Sequence, residues 1–488
     1  MMRKLVVLAA ALCSVLAISA FAAVSVAAAA KPGHAVLGTA RAQGIWGTAE
    51  QVPGLAALAG TGDSAVNSVS CATAGNCSAG GFYHTGGASQ CCQSEAFVVS
   101  EVDGVWGTAL EVPGIAGLNQ AGMAEVTSVS CSSPGNCVAG GSYTSGRSAG
   151  GASFISAFVV SQVNGTWGTA RQVPGIAALN TAEQASVTSV SCSSSGNCSA
   201  GGFYYVPNQA FTRGFAISQV NGTWRRARRI HGALGIDAVS CASAGNCGAA
   251  ATLVASQVNG VWGAARNVAV PSGSSFGHAR ITTISCAAPG NCSAGGFGTS
   301  EERSVVVSQV RGVWGTAREI RGTAALIKGK RSLVASVSCA RPLDCTAAGF
   351  GYRQAAAGSS TREFSVPYVA VQRNGGWRRA ETIPGISSLS KFGYAVLTSV
   401  SCASPGNCAA SGHYSTSTYN PEGNGPGQAF VLNKTNGTWG TPHVVTVALG
   451  NDGPAQISAV ACPAAGSCSA AGYYYSGTQQ RGFVVSQS

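Results

Sequence analysis

Sixteen of the chain's 19 cysteines fall into eight pairs with five residues between the members: Cys71 and Cys77, Cys131 and Cys137, Cys192 and Cys198, Cys241 and Cys247, Cys286 and Cys292, Cys339 and Cys345, Cys402 and Cys408, Cys462 and Cys468. Thiols at that spacing can ligate a metal or form a disulfide. A metal needs four converging donors, commonly from closer cysteine spacings with histidine among them. Here each pair sits in a separate stretch of sequence and no histidine recurs beside it, so the pairs read as disulfides and no metal is assigned. Opposed positions in a tight hairpin lie about 5.5 Å apart at Cα, within reach of a bridge. Each small loop contributes on the order of 2 kcal/mol in the loop-entropy model. Cys91 and Cys92 stand outside the pattern. They bridge each other, pair between chains, or staple the one long loop that contains them.

A second recurrent feature is aromatic: Phe82-Tyr83, Tyr143, Phe203-Tyr204-Tyr205, Phe297, Phe350 with Tyr352, His413-Tyr414 and Tyr473-Tyr474-Tyr475, each run following a cysteine pair. Flat rings with a polar edge suit stacking on sugars or contacts with peptide. Tyr83, Tyr143, Tyr204, Tyr205, Tyr352, His413, Tyr414 and Tyr474 are therefore the candidate ligand-binding residues. Successive strand residues point to opposite faces, so each ring also has a packing role open to it; the second or third ring of a run is the one expected at the surface. Asp63, Glu125, Asp237, His278, Arg280 and Arg331 are scattered between the repeats. A carboxylate pair among them would serve acid–base chemistry, but no two share a motif. Solvated loop charge accounts for them, and no catalytic residue or cofactor is assigned.

The elements that position these residues are strands. Charged residues make up 9% of the chain and apolar ones 45%, with 67 glycines and 17 prolines, a composition that excludes charge-driven disorder and argues against a helical bundle. Residues 1–30 read as a secretory signal peptide: Arg3 and Lys4, an apolar run from Leu5, and small residues at Ala27 to Ala30. An uncleaved membrane anchor is the other reading of that run. Cleavage lowers the formal charge from +12 to +10 and the cysteine count from 19 to 18, and an even count in an exported chain suits disulfides.

Eight tryptophans, at 46, 106, 167, 224, 262, 314, 377 and 439, alternate with the cysteine pairs, so residues 31–488 form about eight units of roughly 57 residues each. One unit parses into four strands: a (187–192), b (198–205), c (215–220) and d (from Thr223), with Asn221-Gly222 turning c into d. No helix is required. The a–b and c–d connections keep a fixed length, whereas the span from the second cysteine to the end of strand c runs from nine residues (Cys247 to Ser256) to 26 (Cys345 to Val371). Alternating strand directions put the fixed hairpins on one rim and the variable loops on the other, where function is expected. Units four and five have the shortest loops, which leaves the rim low on one side.

The chain stops at a strand c (Phe483 to Ser488) that lacks its tryptophan hairpin, and Gln43 to Thr48 supply the missing half. A ring closed by that pairing hides its edges without capping repeats. The fold expected is all-β, a single eight-bladed β-propeller.

The recurring Ser-Val-Ser-Cys, Gly-Asn-Cys, Ala-Gly-Gly and Asn-Gly-Thr-Trp phrases resemble those of secreted tandem-repeat propeller proteins of high-GC Gram-positive bacteria, over essentially the whole mature chain. The hairpin Ser161 to Trp167 also resembles the Asp-box of sialidases, departing from it by one residue in the Ser-to-Trp interval and by Val163 at the Asp position. These features point to a secreted, monomeric, non-catalytic propeller that binds an extracellular polysaccharide, glycoprotein or protein on its variable rim. The alternative is a glycan-active hydrolase or lyase, a sialidase-like propeller enzyme. That chemistry needs an arginine cluster, a tyrosine nucleophile and an acid, and only Arg280 and Arg331 stand close before a strand a. Arg225, Arg226, Arg228 and Arg229, echoed by Arg378 and Arg379, make an anionic cell-wall polymer or a membrane surface a further partner, against the plainer reading of charge that protects an edge strand. Export argues against nucleic acid.

Overall fold

The computed structural model describes residues 44–86, 93–120, 122–207, 211–275, 277–329, 331–357, 360–390, 393–416, 427–447 and 453–487. Residues 1–30, read as a leader, and Cys91 and Cys92 lie outside the described residues.

The local chemistry of one hairpin generates the repeat. Asn164 and Gly165 have φ of 49° and 85°, the two positive values a type I′ turn requires. Across it Gln162 pairs with Trp167 and Val163 with Thr166. Its neighbour, the a–b turn, is held against it: the Gly165 N–H donates to Gly135 O at 2.9 Å. A Cβ on Gly135, whose φ is 69°, would lie 2.6 Å from Gly165 N. Neither turn can lengthen without breaking this contact, which is why both connections keep their length in the sequence.

Eight antiparallel sheets result, each running a–b–c–d outward. Strands a are Ser64–Thr73, Ala124–Ser133, Ala185–Ser194, Ala238–Ser243, Ala279–Ala288, Arg331–Arg341, Ala395–Ser404 and Ala455–Ala464, defining blades 1 to 8. Each strand a packs against strand a of the blades on either side, and the strand of blade 8 packs against that of blade 1, so strand a is innermost and the ring is closed. The closing strand is N-terminal: Glu50–Gln51 pairs with Gln479–Ser486, Glu50 opposite Val484 and Gln51 opposite Phe483. Trp46 bridges Gln487. The molecule is an eight-bladed propeller of four-stranded blades, with one disulfide per blade.

The recurrent Ser-Val-Ser-Cys phrase joins the blades. Ser68 and Ser70 of blade 1 accept the backbone N–H groups of Val129 and Cys131 of blade 2, each at 3.0 Å. These N–H groups belong to the axial edge of strand a, which no strand pairs, and the hydroxyls satisfy it. The pattern is complete at the next two junctions and between blades 5 and 8; only Ser240 serves between blades 4 and 5. Between blades 8 and 1, Ala459 and Ala461 stand where the hydroxyls would be.

Farther out, the strand c glutamine is the second tie. Gln162 donates to Ser100 Oγ of the preceding blade at 3.0 Å and accepts from Ser78 Oγ at 3.4 Å; Gln219, Gln257, Gln309 and Gln372 donate in the same way. Blade 1 carries Glu101 at this position, buried and accepting from Ser486 and Ser469 of blade 8. Blade 7 carries Lys434, and the preceding blade correspondingly offers Val371 instead of a serine.

Three expectations are corrected. The bridged cysteines sit 3.9 to 4.2 Å apart at Cα rather than 5.5 Å: the Cys131 N–H points to Ser70 and not to strand b, so the pair occupies the narrow, non-hydrogen-bonded site of an antiparallel ladder. Strand d is two short pieces, Thr223–Trp224 and Arg228–Arg229 in blade 3. The crossovers do contain helical turns, such as Leu55–Ala59 and Ile115–Leu118, each entered through a glycine in the left-handed region. Leu55 and Ile115 are thereby driven fully into the gaps between blades.

Candidate ligand-binding rim

Strand b climbs to the variable rim, and the residues at its end alternate between two environments. Tyr83, Tyr143, Tyr204, Tyr414 and Tyr474 are all buried. Each packs against the preceding blade: Tyr83 shares a cluster with Leu55, Ala471 and Val484, Tyr204 with Val159 and Ile176, Tyr474 with Val431 and Val447. The expectation that the second or third ring of a run lies at the surface is therefore corrected for the second rings Tyr83, Tyr204, Tyr414 and Tyr474, and the lone Tyr143 is buried with them. Desolvation pushes their hydroxyls above the ordinary tyrosine range, and Tyr83 additionally donates to Glu111 Oε2 at 2.8 Å.

The first and third rings of each run lie on the opposite face, partly open. Phe203 and Tyr205 meet edge to face at 6.1 Å, as do Phe350 and Tyr352 at 5.5 Å and Tyr473 and Tyr475 at 6.0 Å. Tyr205 is 40% exposed, Tyr352 is half-buried, and the Arg331 guanidinium lies 5.4 Å above the Tyr352 ring. His413 is half-buried beside Tyr394; burial pushes its imidazole down to about 4, and its Nδ1 has no partner. Of the sequence-chosen residues, Tyr205, Tyr352 and His413 thus lie on the less buried face of strand b, with Tyr205 the most exposed.

Four residues the sequence reading did not single out, Asn67, Thr127, Thr188 and Thr398, line the axis together with Asp237, which was expected to be solvated loop charge. A bulge after Val66, Val126, Val187 and Leu397 turns the following side chain toward the next blade: Asn67 donates to Val126 O at 2.9 Å, Thr127 to Val187 O at 2.6 Å, Thr398 to Ile457 O at 3.0 Å and Thr188 to Ile236 O. Strand a is innermost, so the solvent these half-buried side chains meet is that of the central channel. Asp237 holds the same place in blade 4. Its carboxyl is pushed up to about 6 by burial, against the pull of the neighbouring Arg280, and its Oδ2 lacks a partner. Arg280 lies 5.7 Å over Phe297. Glu125, in strand a of blade 2, accepts from Asn67 at 3.4 Å and is raised by burial.

The hairpins above this mouth differ in height. Blades 2 and 6 carry the longest that are described, with strands Asn136–Arg147 and Ser153–Val163, and Asp344–Ala357 and Ser360–Arg373. In a ring of eight, blades 2 and 6 stand opposite each other. Blade 4 is the lowest: Asn246–Ala251 and Leu253–Val258 are joined through Thr252 alone, at φ 65°. Among the described residues the mouth is thus walled on two opposite sides and lowest at blade 4.

The one group of three potential metal ligands among the described residues, Cys71, Cys77 and Glu101, has both sulfurs in a disulfide. A cavity of about 200 Å³ lies between blades 7 and 8 at the opposite, fixed rim, where the Lys434 ammonium sits 5.5 Å from the Trp439 ring. No helix among the described residues is long and apolar enough to cross a membrane.

No family model matches the chain, and no curated protein is similar to it. Among solved structures it is similar to Sqt1 of Chaetomium thermophilum, at 10% identity over 91% of this chain and 97% of that one, with a TM-score of 0.46. The same protein bound to the N-terminus of ribosomal protein L10 matches at 8% identity over 87% and 96%, TM-score 0.45. A Hadza microbial sialidase, Hz136, matches at 10% identity over 72% of this chain and 63% of that one, TM-score 0.35. At these identities none of them assigns a role to a residue here.

Proposed function

We propose that the chain is a secreted, non-catalytic binding propeller that holds an extended extracellular ligand, a polysaccharide or a segment of a glycoprotein or protein, across its variable rim. The observation that carries this reading is the pair of tall hairpins on opposite blades 2 and 6 with the low blade 4 between them. That relief suits a long ligand entering from one side, and the half-open rings Tyr205 and Tyr352 supply faces for stacking. Eight disulfides fit an oxidising compartment, in keeping with a leader at 1–30.

The chemistry favours binding over turnover. A sialidase-like reaction needs an activated tyrosine, whereas burial raises Tyr83, Tyr204 and Tyr474 between the blades and Tyr475 on the partly open face. Asp237 is suited to act as a general acid, but the nearest strand a carboxylate of similar setting, Glu125, is two blades away around the ring. The test is an array of glycans and peptides probed with the purified chain, followed by a product-release assay on the tightest ligand. Retention without release supports the proposal; release of product overturns the non-catalytic part.

A further inference from the structure

The outer edge of the ring carries its own charge pattern. In blade 3, Arg225, Arg226, Arg228 and Arg229 follow the tryptophan on strand d and are all exposed. Blade 6 repeats the start of this pattern with exposed Arg378 and Arg379, and the same outer strand adds Arg171 in blade 2, Arg266 in blade 4 and Arg318 in blade 5. The acids among them are Glu319 and Glu381. Blades 7, 8 and 1 instead show His443, Glu50 and Glu111 on that strand. The basic arc therefore spans five consecutive blades and stops.

Two features separate this arc from ordinary edge protection, which asks only for some charge on each exposed strand. The arginines are unpaired: the two ion pairs among the described residues, Arg303 with Glu301 and Arg331 with Glu302, use none of them. The backbone that carries them is also fixed, since each strand d is bonded to the preceding blade, Ala227 N–H to Pro174 O at 2.7 Å, Ala265 to His231 O at 2.8 Å and Ala380 to Arg321 O at 2.7 Å. Arginine rather than lysine suits forked bonds to phosphate, sulfate or carboxylate oxygens. We infer that the outer edge of blades 2 to 6 binds an extended extracellular polyanion, a linear polymer with repeated anionic groups, at a surface separate from the variable rim.

Other blades supply a fold-preserving control, because Gly-Thr follows the tryptophan at Gly168-Thr169 and Gly440-Thr441. The combined variant Arg225→Gly, Arg226→Thr, Arg378→Gly, Arg379→Thr writes that phrase into blades 3 and 6. Heparin, polyphosphate and polygalacturonate are the probes, with dextran as the neutral control and anionic phospholipid vesicles as the surface control, each at about 0.05 M and about 0.3 M salt. Expected is binding of at least one polyanion that weakens steeply with salt, falls about tenfold or more in the variant with a shallower salt dependence, and is unchanged by Tyr205→Ala with Tyr352→Ala. The inference is overturned if no polyanion binds at the lower salt, if the four-residue variant binds as the parent does, or if vesicles are held as tightly as the polymers.

Discussion

The Ser70 hydroxyl accepts the backbone N–H of Cys131, 61 residues away, at 3.0 Å, and so ties the axial edge of blade 2 to blade 1. Removing it leaves a buried donor unpaired, which costs about 1–3 kcal/mol. Ser70→Ala is expected to lower the unfolding free energy in urea by that amount with little change in the slope. The reverse change is expected at the junction that lacks hydroxyls: Ala461→Ser gives the Cys71 N–H an acceptor and raises stability by about 0.5–1.5 kcal/mol. A destabilised Ala461→Ser protein would contradict the role given to the phrase.

Each disulfide closes a small loop, so its effect is mainly on the unfolded chain. Replacing Cys241 and Cys247 together by alanine is expected to cost about 2 kcal/mol, read as an earlier thermal midpoint. Loss of all structure from this one replacement would show that the blades depend on the bridge rather than being trimmed by it.

Glu101 stands where six other blades have glutamine, and burial raises its carboxyl above 4.5, partly offset by the Ser486 and Ser469 hydroxyls. The folded chain therefore holds this proton more tightly than the unfolded one. Its contribution is full below 4.5 and is lost as pH rises through the folded value. Glu101→Gln, uncharged throughout, is expected to stabilise the protein at pH 7 and to lose that advantage at pH 4. Equal shifts at both pH values would contradict a buried charge.

His413 has the opposite sign. Its imidazole is pushed down from 6.5 to about 4 by burial, so the unfolded chain takes up a proton that the folded one refuses, and stability falls as pH drops from 6.5 toward 4. His413→Phe, which copies Phe82, Phe203 and Phe297 at the same place, is expected to gain on the parent progressively across that window in thermal unfolding. Parallel curves would mean that the ring is open to water.

The sequence makes closure legible because a single hairpin is split between the two ends of the chain, Trp46 at one and Gln487 at the other. It also makes the rigid rim legible, since turn chemistry is local. The partners of Ser70 and Gln162 are not local: they lie on a neighbouring blade, the next one for Ser70 and the preceding one for Gln162, and only the ring brings them together. The facing of Tyr83 and Tyr204 was equally hidden. Alternation says that neighbours diverge, but which parity meets the preceding blade depends on how the sheets pack, and strand a carries a bulge after Val66 and Val187 that no residue type announces. The crossover helices do have a local sign, the repeated Val-Pro-Gly-Ile phrase as at Val112 to Ile115, too short to outweigh the strand pattern around it.

The reading of the rim rests on the opposed hairpins, and shortening them tests it most directly. The hairpin of blade 2 beyond Thr144 and that of blade 6 beyond Tyr352 are each replaced by the Gly-Thr turn of blade 8 (Gly477-Thr478), and binding of the best array ligand is measured by calorimetry. Either replacement is expected to weaken that binding about tenfold or more while thermal unfolding stays cooperative. Unchanged affinity with both hairpins removed would contradict a ligand held between blades 2 and 6.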